Sequence, residues 1–254
     1  RLAKFQITSW GHPETTGNNK IDFFLSSKLL ETDGYQNNFS EKVLLSNYLP
    51  MYFYKPKITF ALKKEDMLSR NIYFCPQSLF KMHPSFDEAI KKILHKDKKA
   101  QIFFIKDRKE ILSKMFFKRL NKIMSENVDR INFIDRLTPE EFVHYCGKVS
   151  VLLDPFWFGA GNTFHESMLY GTPTVTMPTK YLKSRVVAGA YKQMQIDDAP
   201  IFNNIDDYVD KCVELANQDN LDLKMHYKEQ AEKNLFENPN VIDDLEKIFK
   251  SIVN

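Results

Sequence analysis

From Asn71 onward, short apolar runs alternate with longer stretches of helical periodicity. The runs Ile72–Cys75, Gln101–Ile105, Ile131–Ile134, Val149–Leu153 and Thr174–Met177 are too short for helices and read as buried strands. Between them, apolar positions three and four apart predict helices over Phe86–Leu94, Lys109–Ser125, Pro139–Cys146, Thr163–Tyr170 and Leu182–Met194. Three more helical patterns, near 204–218, 221–235 and 240–252, close the chain. One boundary is sharply marked. Thr138 precedes Pro139, and Glu141 follows three residues after Thr138, which is a capping box with proline at the first helical position. Strands alternating with helices predict a parallel sheet covered on both faces, an α/β fold. Ligands on such sheets bind beyond the carboxyl ends of the strands. The segments Cys75-Pro76-Gln77, 135–138 and 154–162 lie at such ends and are expected to meet on one rim.

Residues 1–60 follow a different pattern. Phe5–Ser9, Ile21–Ser26 and Lys42–Leu45 read as strands, separated by turn-rich polar segments with no clear helix between them. The stretch from Tyr48-Leu49-Pro50 through Lys55-Pro56 reads as a connector. This divides the chain into 1–60 and 61–254.

The segment 154–178 carries the most chemical information. An apolar strand ends at Asp154, a turn containing Gly159-Ala160-Gly161 follows, and Asn162 or Thr163 is expected to cap a short helix that stops at Gly171. Strand, glycine turn and helix start is an arrangement that holds phosphates, because unpaired amides and the positive end of the helix dipole face outward. The chain has only eight glycines, and four of them (Gly147, Gly159, Gly161, Gly171) fall within the 25 residues 147–171. Average composition predicts roughly twice as many in the whole chain. Glycine kept so sparingly marks tight turns or close backbone approach. Glu166 stands three residues after Thr163, so both can face one site from the first turn. A carboxylate there suits paired hydroxyls such as those of a ribose. From spacing alone, an ordinary βαβ turn with a capping threonine and a glutamate near the helix start accounts equally well for these residues.

Composition narrows the alternatives. With 36 basic and 33 acidic residues, the net charge of +3 argues against a polyanion-binding surface as the main function, and no nucleic-acid partner is expected. The basic run Lys91–Lys99 alternates with apolar residues and reads as a solvated helix face. Cys75, Cys146 and Cys212 are widely spaced and predict reduced thiols in a cytoplasmic setting. The six histidines show no ligand spacing, so no metal is expected. No apolar run reaches the ~18 residues of a membrane span. The chain starts at Arg1 inside strand-like sequence and is expected to be part of a longer protein.

Four landmarks in order then give the chain a family likeness. They are Gln6-Ile7-Thr8-Ser9-Trp10-Gly11-His12-Pro13-Glu14-Thr15-Thr16-Gly17 with Ile21-Asp22; Cys75-Pro76-Gln77-Ser78-Leu79-Phe80-Lys81; Leu152–Glu166; and Gly171-Thr172-Pro173-Thr174-Val175-Thr176-Met177-Pro178 with Ser184-Arg185-Val186. Over roughly residues 5–190 the chain resembles the C-terminal part of the catalytic region of the O-linked N-acetylglucosamine transferase and SPINDLY-like glycosyltransferases, nearer their bacterial branch. The resemblance implies a GT-B fold of two Rossmann-like domains, with 1–60 the end of the first and 61–254 the nucleotide-sugar-binding second. It implies inverting transfer of a sugar from a nucleotide diphosphate to a protein hydroxyl, without metal or other cofactor. UDP-N-acetylglucosamine is the expected donor. GDP-fucose, as in SPINDLY-like members, and a non-catalytic nucleotide-sugar-binding scaffold are the alternatives.

Residue by residue, the resemblance implies that Lys81 stabilises the leaving diphosphate, with Gln77 and Ser78 beside it. Gly161, Asn162 and Thr163 match the family's turn onto the diphosphate, and Glu166 its acidic residue on the ribose. Leu137, Thr138 and Phe142 match positions that cradle the base. Gly11, His12 and Pro13 match a turn facing the sugar and acceptor. Because other members carry tyrosine there, His12 is read as lining the sugar site and not as the base. His83 and His165 are read as structural or exposed, and Trp10, Phe156 and Trp157 as packing. The family's upstream half, with further histidines and often helical repeats that bind the acceptor protein, is absent from this sequence. The chain alone is therefore expected to be inactive.

Overall fold

The computed structural model describes residues 2–124 and 126–253. Two parallel sheets organise the chain. The smaller has the order β1-β2-β3, formed by β1 (Ile7–Ser9), β2 (Phe23–Ser27) and β3 (Lys42–Ser46). Only loops and one 3-10 turn, Tyr35–Asn38, connect these strands, in keeping with the lack of helical periodicity in this part of the sequence.

The larger sheet has the order β6-β5-β4-β7-β8 and is parallel throughout. Its strands are β4 (Ile72–Cys75), β5 (Gln101–Ile105), β6 (Ile131–Ile134), β7 (Val151–Leu153) and β8 (Thr174–Val175). Side chains alternate between two cores, as the period of two requires. Tyr73, Cys75, Ile102, Phe104, Val151 and Leu153 pack on one face with residues of α1 (Pro84–Lys96), α2 (Ile111–Ile123) and α6 (Ile205–Asn217). Phe74 and Leu152 face the other way, with Phe142, Val143 and Cys146 of α3 (Pro139–Lys148) and with Tyr170. The capping box of α3 forms as the sequence predicts: Glu141 N donates to Thr138 Oγ1 at 3.3 Å and Thr138 N to Glu141 Oε2 at 2.8 Å.

A third core joins the two sheets. Phe24, Leu30, Val43 and Leu49 pack with Val187, Ala190 and Tyr191 of α5 (Val186–Gln193) and with Tyr227 of α7 (Leu221–Asn234). The last helix, α8 (Pro239–Val253), returns to the small sheet. Its Asp244 accepts from Ser46 Oγ at 2.7 Å, Asn47 N at 2.8 Å and Asn47 Nδ2 at 2.6 Å. The connector is pinned where α7 gives way to α8, with Glu237 N donating to Phe53 O at 2.9 Å.

Several boundaries differ from the sequence reading. The helix expected over Thr163–Tyr170 is shorter, α4 (Asn162–Ser167), and Gly161 occupies its cap position without a side-chain cap. Neither Asn162 nor Thr163 is the cap, because the Thr163 hydroxyl accepts instead from Gln77 Nε2 at 2.6 Å. The helix expected over Leu182–Met194 is divided into a 3-10 turn, Leu182–Ser184, and α5. Arg185 stands at the break, donating from Nε to Leu30 O at 2.5 Å and from Nη1 to Thr179 O at 3.0 Å. The end of the helix expected over Lys109–Ser125 touches residue 125, outside the described residues. The Lys91–Lys99 run is more than a solvated face. Its Lys92 and Lys96 pair with Asp206 and Asp210, stitching α1 to α6. All three cysteines are buried and free.

Candidate functional site

The chain reverses direction across the large sheet between β4 and β7: β5 and β6 lie on one side of β4, β7 and β8 on the other. Loops leaving two such strands part in opposite directions and open a crevice at their carboxyl ends. The loops after β4 and β7 face each other there and are joined by two hydrogen-bonded bridges. Gln77 Nε2 donates to Thr163 Oγ1 at 2.6 Å, and Lys81 Nζ donates to Gly159 O at 2.9 Å. Lys81 Nζ also donates to Gln77 Oε1 at 2.9 Å. One buried carboxamide thus holds the ammonium at one end and the threonine hydroxyl at the other.

Local sequence explains why Lys81 points here. After Pro76 the chain makes a 3-10 turn over Leu79–Lys81, with Lys81 N donating to Ser78 O at 2.9 Å. Leu79 is thereby buried under the turn while the lysine stem folds back over the Phe158 ring, with Nζ 4.3 Å from its centroid. Burial lowers the Lys81 pKa, and the Asp154 carboxylate works against that shift. An ammonium has three N–H donors, and two of those on Lys81 serve Gln77 and Gly159. Thr163, having accepted from Gln77, keeps its own O–H to donate. The amides of Asn162 and Thr163 precede the first helical donor of α4, Phe164 N, which bonds Gly161 O at 3.0 Å.

Two connected hollows meet at these residues. The larger, about 530 Å³, runs from Gln77 and Thr163 past Glu166 to Leu137, Pro139 and Phe142. The smaller, about 290 Å³, runs from Gln77, Lys81 and Gly159–Thr163 to Trp10, Gly11 and Pro13 of the small sheet. Glu166 is half-buried, and burial raises its carboxyl pKa. Of the base-cradling candidates, Leu137 and Phe142 line the larger hollow; Thr138 is exposed, with its hydroxyl and amide engaged in the α3 capping box. Ser78 lies where the two hollows join. Gly11 and Pro13 line the smaller hollow, while His12 between them is exposed and turned by a bond from its amide to Ser9 O at 3.1 Å. His83 accepts from Ser85 N at the start of α1. His165 is buried and stacked on Phe53, and desolvation brings its pKa down to about 4. Phe156 belongs to the core, Trp10 forms part of the cleft wall, and Trp157 lines a separate hollow with Tyr181.

The sequence reading missed the loop after β5. Lys106, Asp107 and Arg108 line the larger hollow, as does Arg136. The rule that flagged the other strand ends applies equally to Ile105, so the signal was present. It also missed the role of Asp154, which lies beneath the turn. The crowding at Gly159 explains that glycine: a Cβ there would stand 2.8 Å and 2.9 Å from the Asp154 carboxylate oxygens. Gly161, by contrast, has only the Trp10 ring near a virtual Cβ, at 3.8 Å.

No protein-family model matches the chain. It is similar to the probable UDP-N-acetylglucosamine–peptide N-acetylglucosaminyltransferase SEC of Arabidopsis thaliana, with 23% identity over 229 residues, 84% of this chain and 23% of that protein. It is also similar to the UDP-glucose:protein N-beta-glucosyltransferase of Actinobacillus pleuropneumoniae serotype 5b (strain L20), with 24% identity over 236 residues, 89% of this chain and 37% of that protein. The chain therefore spans well under half the length of these relatives. Among solved structures, a mutant of the Thermobaculum terrenum O-GlcNAc transferase superposes with a TM-score of 0.85 at 16% identity, over 98% of this chain and 48% of that one. TarM superposes at 0.56 with 19% identity, over 91% of this chain and 43% of that one. Two parallel sheets with this crevice give the chain the GT-B fold of these solved structures, and in sequence it is similar to O-GlcNAc transferase-like protein glycosyltransferases.

Proposed function

We propose that this chain holds the donor site of an enzyme that transfers N-acetylglucosamine from UDP-N-acetylglucosamine to a protein hydroxyl, with inversion and without a metal. In this reading residues 1–60 end the first domain of the fold and 61–254 form the nucleotide-sugar-binding second. The observation that carries it is the pairing of Lys81 and Thr163 on opposite ends of the Gln77 carboxamide, across the crevice between β4 and β7. The third N–H of Lys81, the Thr163 hydroxyl proton and the first amides of α4 together form a donor set suited to a diphosphate. Leu137 and Phe142 line the same hollow and are assigned to the base, and Glu166, which also lines it, to the ribose hydroxyls. The sugar then faces Trp10, Gly11 and Pro13.

Breaking the glycosidic bond leaves negative charge on the departing UDP. Donors already aimed at that charge stabilise the transition state more than the ground state, which lowers the barrier. Lys81 supplies the cation, so the step needs no added metal. The acceptor hydroxyl attacks from the sugar face opposite the diphosphate, which inverts the anomeric centre. The reaction belongs in the cytoplasm, where the buried thiols stay reduced. Acceptor recognition lies with the whole protein, whose remaining parts are expected to include helical repeats, and the 254 residues alone should bind nucleotide without turnover.

The similarity to a protein named for glucosylating nitrogen favours a second reading, glucose transfer from UDP-glucose to an amide nitrogen. Calorimetric titration with UDP and GDP, followed by mass spectrometry of an acceptor protein incubated with UDP-N-acetylglucosamine, UDP-glucose or GDP-fucose, separates these. UDP is expected to bind more tightly than GDP, and the acceptor to gain an N-acetylhexosamine on serine or threonine. A hexose on asparagine selects the second reading. Preferred GDP binding with a deoxyhexose product overturns both.

A further inference from the structure

The carboxylate that follows β7 lies beneath the glycine turn and not in the cleft. Asp154 is 1% exposed. Its Oδ1 accepts from Ala160 N at 2.7 Å, and its Oδ2 accepts from the Thr176 hydroxyl at 2.7 Å. Gly159 is packed directly against both carboxylate oxygens, leaving no room for a Cβ. The carbonyl of that same glycine is what receives Lys81 Nζ. The carboxylate, the turn and the ammonium therefore form one connected chain of contacts.

Charge reinforces the geometry. Titratable groups facing the pair are Cys75 at the end of β4, Tyr191 on α5 and Tyr208 on α6, whose hydroxyl donates to Asp154 O at 3.3 Å. Burial raises all three, so they stay neutral in the working range. Desolvation of Lys81 disfavours its ammonium, and the Asp154 carboxylate opposes that.

We propose that Asp154 is a positioning residue for the leaving-group lysine: from beneath the turn it fixes the Gly159 carbonyl against Lys81, and its charge holds that lysine as an ammonium. This rests on the diphosphate reading of Lys81. Burial holds the Asp154 carboxyl up at about 7, so the arrangement is complete only above neutrality and below the point where Lys81 loses its proton.

Asp154→Asn keeps the size and one acceptor and removes the charge. In the full-length protein its kcat is expected to fall roughly tenfold or more, with KM for the nucleotide sugar little changed. The acid limb of the kcat–pH profile near neutrality disappears, and the alkaline limb moves to lower pH. A residue that merely packs would leave both limbs in place, so unmoved limbs overturn the proposal. Gly159→Ala removes neither charge but drives a methyl against the Asp154 carboxylate and displaces the carbonyl. It is expected to slow turnover while preserving the limbs, and full activity in this variant overturns the positioning route. Calorimetry with UDP on Asp154→Asn, Lys81→Met and the double variant keeps the two readings apart. Once Lys81 is gone, loss of Asp154 is expected to add nothing. Additive losses overturn the role of Asp154 alone, whereas a Lys81→Met protein that binds and turns over normally overturns the diphosphate reading as well.

Discussion

Replacing the buried lysine of α7 by methionine should unfold the scaffold earlier, and in a way that depends on pH. Lys224 is 1% exposed, and its ammonium donates to Met67 O and Gly147 O at 2.9 Å and to Val149 O at 2.8 Å. Two of these carbonyls belong to the end of α3, where the last carbonyls lack helical partners and the dipole favours a cation. The third belongs to the segment leading into β4. Lys224→Met matches the stem and leaves three buried acceptors without a donor, at about 1–3 kcal/mol each. The loss is partly offset. Burial brings the Lys224 pKa from 10.5 down to about 8, a fall corresponding to roughly 3 kcal/mol of disfavoured charge that methionine does not carry. The net loss should be on the order of 3 kcal/mol, or roughly 6–12 °C in Tm for a chain of this size. The sign with pH follows from proton binding. Below about 8 both folded and unfolded states hold the proton and the difference is constant. Between about 8 and 10.5 the unfolded state binds more protons, so the lysine protein gains stability as pH rises. The gap between the two proteins should therefore widen from pH 7 to pH 9.5 in thermal or urea unfolding. A methionine variant as stable as the parent at pH 7, or a gap independent of pH, refutes this reasoning.

Other substitutions probe the site and its support. In the full-length protein Lys81→Met should lower kcat by ~10²–10³, the loss typical of removing a donor aimed at developing charge, with the fold intact by circular dichroism; kcat within threefold of the parent, read from steady-state transfer, counts against a leaving-group role. Gly171→Ala should destabilise by ~3 kcal/mol or more, because φ there is +64° and the new methyl would lie 1.9 Å from Lys224 O; chemical denaturation reads this, and a neutral outcome rejects the steric argument. Asp154 contributes a pH slope of its own. Its folded pKa, about 7, stands above the ordinary 3.8, so the folded state binds more protons between those values and stability falls as pH rises through them. Asp154→Asn should remove that decline in urea titrations at pH 5 and pH 8, and parallel curves for the two proteins would contradict it.

The sequence by itself determined the order of elements and much of the rim. Largely apolar runs of four and five residues placed β4, β5 and β6 to the residue, because core-facing strand positions must be apolar; the polar Gln101 and Asn132 bond each other across β5 and β6. The α3 start was equally legible, since Thr138, Pro139 and Glu141 satisfy amides within their own turn and need no distant partner. The family likeness pointed to Gln77, Lys81 and Thr163, but spacing alone left them as ordinary loop residues. Tertiary structure decided that they touch. Lys81 and Gly159 lie 78 positions apart, and Gln77 and Thr163 lie 86 apart; only the reversal of strand order between β4 and β7 brings their loops together. The helix start went astray for the same reason. A threonine in sequence reads as a cap, yet its hydroxyl is drawn away by a carboxamide from another loop. Asp154 and Lys224 were invisible as special groups, because what distinguishes them is burial, and burial is set by elements far away in the chain.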